Sequence, residues 1–214
     1  MKLLIIIISH SFDPEWCDNI KQLNECIKNN TLEIDYCGIS NQNDFHNYEP
    51  IIDFKYKMVN SKRQLSKICD FITEYKPQLN YDWYMKIRPD VRLLSNIMFQ
   101  TLSKNAINAR ARIYNGPRTI RYGMSVNGKG PFKNAGGCYH SRYEHNIILD
   151  DQVYIFDNNV VENNAFDKFL EPLFPEQELQ HAQLFNKRKI RFNVIGINLC
   201  FVKYNAFSGH INME

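Results

Sequence analysis

The chain has 214 residues, of which 44% are hydrophobic and 23% charged, with only nine Gly and eight Pro. That excludes a disordered or fibrous polymer and suits a single domain able to bury its own core. A net charge of +3 with a pI near 8.4 is too mild for a surface that tracks phosphates, so no nucleic-acid partner is expected. Six cysteines form no CxxC pair and lie mostly in apolar-periodic segments, which predicts buried, reduced thiols.

In chain order, "MKLLIIIISHSF" imitates a signal peptide. Its apolar run is short and rich in isoleucine, no small-residue cleavage site follows, and "SFDPEW" opens a helix. Leu3 to Ile8 reads as a strand buried on both faces. Asp13, Pro14 and Glu15 supply an N-cap, a first-turn proline and an early carboxylate. Trp16, Ile20, Leu23 and Ile27 then form the stripe of an amphipathic helix. "LEIDYCGIS" (32–40) and "IIDFKYKMV" (51–59) read as the second and third strands. Ser61 is placed to cap a helix that buries Leu65, Ile68, Cys69 and Ile72 and stops near Pro77; Trp83 to Ile87 is the next strand.

This alternation predicts an α/β fold with a mostly parallel, Rossmann-like central sheet flanked by helices in a single domain. Ligands in such sheets gather beyond the carboxyl ends of the strands. Residues 1–94 read as a nucleotide-binding half and 95–214 as an acceptor-side half. In the second half the expected elements are a short helix over Ser95 to Lys104, a strand over Ala109 to Tyr114 and a Gly-rich loop over 116–137. A strand in "ILDDQVYIF", a helix from about Asn159 to Leu173, another after Pro175 and paired strands around Gly196 follow. "NKRKIR" reads as the join between a helix and a strand. No run approaches the ~18–20 apolar residues of a membrane span. The chain therefore reads as cytoplasmic, and the sequon at Asn29 carries no weight.

"GMSVNGKG" matches the start of a P-loop but puts Gly130 where Ser or Thr should hold magnesium, with Pro131 next; coincidence is the better reading. The histidines at 10, 46, 140, 145, 181 and 210 lack metal-ligand spacing among themselves; His10 and His210 stand out, His10 because it follows the first strand. The acidic candidates are Asp82 and Asp90, at either end of the Trp83 strand, and the pair Asp150 and Asp151. Two carboxylate sites on separate strand ends meet one requirement of an enzyme handling a nucleotide diphosphate. One carboxylate holds a hard divalent ion, and another deprotonates an acceptor hydroxyl.

Three stretches in order carry a resemblance. "YDWYMKIRPDV" resembles the YD–hydrophobic–RPD segment of small GT-A-type glycosyltransferases of bacteria and large DNA viruses. "LDDQVYIFDNNVVENNAF" is similar to their NDQF strand and following helix, and "LFPEQELQHAQL" to their PE-containing helix. The resemblance runs from about Met1 to Tyr204. It implies transfer of a sugar from a nucleotide donor, commonly UDP-linked, to a hydroxyl on a glycan or glycoprotein, inside a bacterium or a virus-infected host cell.

The family's metal-binding carboxylate falls on Asp90, with Mn²⁺ or Mg²⁺ as the implied cofactor. Asp151 and Asp150 fall on the catalytic, acceptor-facing side. Ser9, His10, Lys62, Arg63, Arg88 and Gln152 would bind the donor, and Glu176 takes the PE position. The usual Asp-x-Asp is absent, because Arg88 takes its first acidic place. The rival assignments are a nucleotidyltransferase using a nucleoside triphosphate and a catalytically silent nucleotide-sugar-binding module.

Overall fold

A computed structural model of the chain describes residues 1–27, 32–58, 63–114, 138–140, 146–167, 177–201 and 206–208. Ser61, Lys62, Glu176, the sequon and the Gly-rich stretch 116–137 lie outside these residues.

The first strand, β1 (Lys2–Ile8), forms from the isoleucine run and is covered on both faces. Leu3, Ile5 and Ile7 point into one core layer, Leu4, Ile6 and Ile8 into the other, as the two-residue side-chain period requires. Asp13 accepts a hydrogen bond from Glu15 N at 3.0 Å and starts a 3₁₀ turn at Pro14–Trp16 that leads into α1 (Cys17–Cys26). Trp16, Ile20, Leu23 and Ile27 are all buried against the first layer.

β2 (Glu33–Ser40) pairs parallel to β1. β3 (Phe54–Lys57) is shorter than its alternating pattern suggests. Ile52 leaves the strand and packs over Gly38, where an added Cβ would come within 2.7 Å of both Ile52 Cδ1 and Phe45 Cε1. Gly38→Ala should therefore lower stability by roughly 1–3 kcal/mol through overpacking, measurable by urea unfolding. α2 (Gln64–Tyr75) buries Leu65, Ile68, Cys69, Phe71 and Ile72 in the second layer. Arg63 sits at its N-cap with no side-chain cap, and Pro77 lies inside a 3₁₀ turn that prolongs the helix. β4 (Trp83–Ile87) is the predicted fourth strand.

β5 (Val91–Leu93) follows at once, and β6 (Ala106–Tyr114) comes after an irregular stretch. The helix expected over 95–104 is only a 3₁₀ turn at Phe99–Thr101. β7 (Cys138–His140) and β8 (Asn146–Asp157) pair antiparallel. α3 (Asn158–Glu162) is far shorter than the helix expected there, although residues 168–176 are not described. α4 (Gln177–Lys187) leads through the basic cluster into β9 (Arg191–Val194), as its sequence suggests.

The main sheet runs β3-β2-β1-β4-β8-β6-β9, with β7 beside β8. In that seven-strand path only β8 opposes its neighbours. α1 covers one face, and α2, α3 and α4 cover the other. The paired strands expected around Gly196 do not pair with each other. β9 joins β6 in the main sheet, whereas β10 (Leu199–Phe201) joins β5 and β11 (Ala206–Ser208) in a separate three-stranded sheet. Among the described residues Cys17, Cys26, Cys37 and Cys69 form no disulfide, and no helix is long and apolar enough to cross a membrane.

Candidate functional site at the carboxyl end of the sheet

The turn "RPD" is where the chain leaves the main sheet. β4 ends at Ile87, Val91 N donates to Arg88 O at 3.2 Å, and β5 begins the second sheet. Asn19 of α1 clamps this turn: its Nδ2 donates to Pro89 O at 3.0 Å while its Oδ1 accepts from Arg92 Nε at 3.1 Å. Within the turn Arg88 grips Asp90 side-on, Nε to Oδ1 at 2.8 Å and Nη2 to Oδ2. Asp90 is nearly buried; Arg88 keeps 29% of its side chain exposed.

Because β8 opposes β4, its DDQ segment comes to the same place. Ile87 pairs with Val153 at the end of the ladder, so Arg88 and Gln152 are the next residues beyond that end on their two chains. On its other edge β8 is bulged at this point. Ala109 faces Tyr154 and Ala111 faces Leu149, which leaves Arg110 alone across from residues 150–153. Bulges re-aim side chains and gather next to active sites.

Arg110 Nε meets Asp150 Oδ2, both side chains fully buried, and Asp150 Oδ1 accepts from Gln152 N at 3.1 Å. Asp150, expected to face an acceptor, is thus enclosed and shapes the bulge. Asp151 and Gln152 lie beside it, each 6% exposed, and Gln152 Oε1 is buried with no hydrogen-bond partner among the described residues.

Beneath the bulge lies Lys86, fully buried on β4. Its Nζ donates to Gln64 Oε1 at 2.7 Å, to Asp151 O and to Gln152 O, and stands 5.7 Å over the Tyr154 ring. Burial pulls the ammonium down to about 7; Asp151 opposes the shift, Arg88 adds to it, and Asp150 and Asp90 also oppose it. Next in the second layer, Tyr154 OH pairs with His181 Nδ1 at 3.1 Å, and burial keeps the imidazole neutral.

The Lys86 shift makes a stability prediction. The folded state releases the proton near 7, the unfolded chain near its ordinary value of about 10.4. Between those values the unfolded chain holds more protons, so native stability rises with pH. Relative to Lys86→Met, the wild-type protein should gain stability from pH 7 to 10, by roughly 4 kcal/mol as an upper bound. Urea unfolding at a series of pH values reads this slope directly.

The exit of β1 adjoins this cluster, since Ile7 pairs with Ile87. His10 is exposed, and Ser9 and Ser11 are half-buried. Buried Lys67, from the first turn of α2, donates to Ser9 O and lies 3.4 Å from His10 Nδ1. Burial lowers its ammonium to about 8 against the pull of Asp44. Asp44 in turn accepts from Phe12 N at 2.7 Å and from Ser40 Oγ at 3.0 Å. The amino end of α2 carries no acidic residue in its first turn, so its positive dipole end reinforces the two lysines. Arg63 is exposed at that end.

The structure thus brings together Ser9, His10, Arg88, Asp90, Asp151 and Gln152. Asp82 lies at the opposite end of β4, accepting from Lys2 N at 2.7 Å. A cleft of about 330 Å³ between residues 96–102 and 193–197 contains none of the predicted site residues. Sequence reasoning missed Lys67, Lys86 and Arg110. Lys86 and Arg110 each have an apolar residue on either side, a cation set within a strand, whereas Lys67, between Ser66 and Ile68, carries no such signal.

The donor set does not suit the implied Mn²⁺ or Mg²⁺, which asks for several available oxygens. Both oxygens of Asp90 are taken by Arg88, and those of Asp150 by Arg110 and Gln152 N. Among the described residues no group of three or more His, Cys, Asp or Glu could hold a metal ion. No protein-family model matches the chain, and no curated protein matches it.

Proposed function

We propose that the protein is a glycosyltransferase that moves a sugar from a nucleotide-sugar donor, UDP-linked, to a hydroxyl of a glycan or glycoprotein. The observation that carries this reading is the meeting of two segments far apart in sequence. Arg88, which keeps 29% of its side chain exposed, follows the last β4 residue of the ladder just as Gln152 precedes its last β8 partner, and the buried Gln152 Oε1 has no hydrogen-bond donor among the described residues. A cation beside an unsatisfied acceptor suits a phosphate joined to a hydroxyl-bearing group, which is the chemistry of a sugar nucleotide. The mostly parallel sheet flanked by helices also accords with a GT-A-like architecture.

Each residue then has a role. The β1 exit, Ser9 and His10 above Lys67, faces the nucleotide, with Arg63 within the same rim. Arg88 holds the diphosphate and Gln152 accepts from a sugar hydroxyl. Asp151 takes the acceptor proton as the acceptor oxygen bonds to the sugar carbon. The bond from that carbon to the phosphate oxygen breaks, and its electron pair leaves with the diphosphate. Nucleotidyl transfer is less well supported, because it asks the same carboxylates to hold metal ions while their oxygens are already engaged.

The test is to incubate the protein with a panel of UDP-sugars and glycan acceptors, and separately with nucleoside triphosphates, following products by mass spectrometry. A glycosylated acceptor with released UDP is the expected result. Pyrophosphate release from a triphosphate would overturn it.

A further inference from the structure

We infer that the diphosphate is neutralised by the Arg88 guanidinium itself, held in aim by Asp90, with no divalent cation between protein and phosphate. The inference rests on the glycosyltransferase reading and concerns how that site takes its donor.

A guanidinium has five N–H donors in a planar fork. Asp90 occupies one edge, through Nε and Nη2. The other edge, with Nη1, makes no hydrogen bond among the described residues, and the side chain is 29% exposed. Asp90 is 5% exposed by side chain against 29% for Arg88, so the ion pair is open to solvent mainly through the Arg88 side chain. Such an arrangement fixes a planar donor edge in advance, which suits bidentate recognition of phosphate oxygens.

Two neighbours strengthen this. The Asn19 clamp on Pro89 O keeps the turn in place, so the guanidinium has little freedom to lose on binding. Lys86, Lys67 and the amino end of α2 lie behind the site and add positive potential without blocking it. Asp90 is therefore a positioning residue, and its negative charge serves Arg88 where the family pattern would have it serve a metal.

The two readings of Asp90 differ in a binding measurement. UDP affinity would be measured by calorimetry for the wild-type protein, Arg88→Gln, Arg88→Lys and Asp90→Asn. Each would be titrated once in EDTA and once in Mn²⁺, with circular dichroism confirming the fold. The expected result is equal wild-type affinity in EDTA and Mn²⁺. Arg88→Gln should bind UDP roughly 10- to 100-fold more weakly. Arg88→Lys should rescue it only in part, since a point charge lacks the fork. Asp90→Asn should weaken binding by the same factor with or without Mn²⁺. Wild-type binding that needs Mn²⁺, with an Asp90→Asn loss seen only in Mn²⁺, would overturn the inference and leave the transferase reading standing. No UDP binding under either condition would overturn both.

Discussion

Asp150→Ala is expected to destabilise the protein by about 3–5 kcal/mol, because it removes the buried carboxylate that pairs with the Arg110 guanidinium in the core. Both side chains are fully buried and joined by a direct ion pair. The lost partner is not replaceable by water at such a depth, and Gln152 N also loses the oxygen it donates to. Urea unfolding should show a lower midpoint with an unchanged slope. A second variant isolates the cause. Asp150→Leu combined with Arg110→Met removes both charges together and should recover most of the lost stability, as replacing a buried pair by apolar groups often does. A single Asp150→Ala variant as stable as the wild type would show that Arg110 finds another partner. A double variant no better than the single would show that the bulge itself needs the carboxylate.

Asp151→Asn should cut sugar transfer by roughly 10²- to 10⁴-fold while leaving donor affinity unchanged, the signature of a lost general base. The substitution keeps size and hydrogen-bonding atoms but removes the proton acceptor. The hydrogen bond from Lys86 goes to the backbone carbonyl of Asp151, so that contact survives the substitution. The stability cost should be small beside that of Asp150→Ala, and this contrast between adjacent aspartates is the sharpest statement about the segment. Donor binding is read by calorimetry and transfer by product formation. Wild-type turnover in Asp151→Asn would assign the base elsewhere, and a matching loss of donor affinity would move Asp151 to the donor side.

How far the sequence reaches depends on whether a signal is local. β1, α1, α2 and β4 announce themselves because each buries a face set by its own residues: the isoleucine run, the Trp16–Ile20–Leu23–Ile27 stripe, and the Leu65–Ile68–Ile72 stripe. The segments 95–104 and 191–204 mislead for the opposite reason. In the first, Ile97, Phe99 and Leu102 are buried, but in an irregular chain held by tertiary packing rather than by a helix. In the second, two short strands close in sequence suggest a hairpin, yet each finds its partner in a different sheet.

The site divides in the same way. "RPD" was legible as a polar segment at a strand's end, whereas "DDQ", expected at another strand's end, lies inside β8; their meeting depends on the reversed direction of β8, which no local pattern encodes. The side-on pairing of Arg88 with Asp90 is a matter of two residues' geometry, and it turns an expected metal ligand into the partner of a cation. The bulge was invisible too. It exists only as a mismatch of count between β6 and β8.

The burial of Lys86 has a consequence for the order in which the chain assembles. Its ammonium belongs to β4, but two of the oxygens that receive it belong to Asp151 and Gln152, more than sixty positions later. A nascent chain can therefore stack β2, β1 and β4 early while this lysine stays hydrated. Docking of β8 must strip that water, so closure of this end of the sheet becomes the dehydration step of folding, faster in alkaline than in acidic buffer.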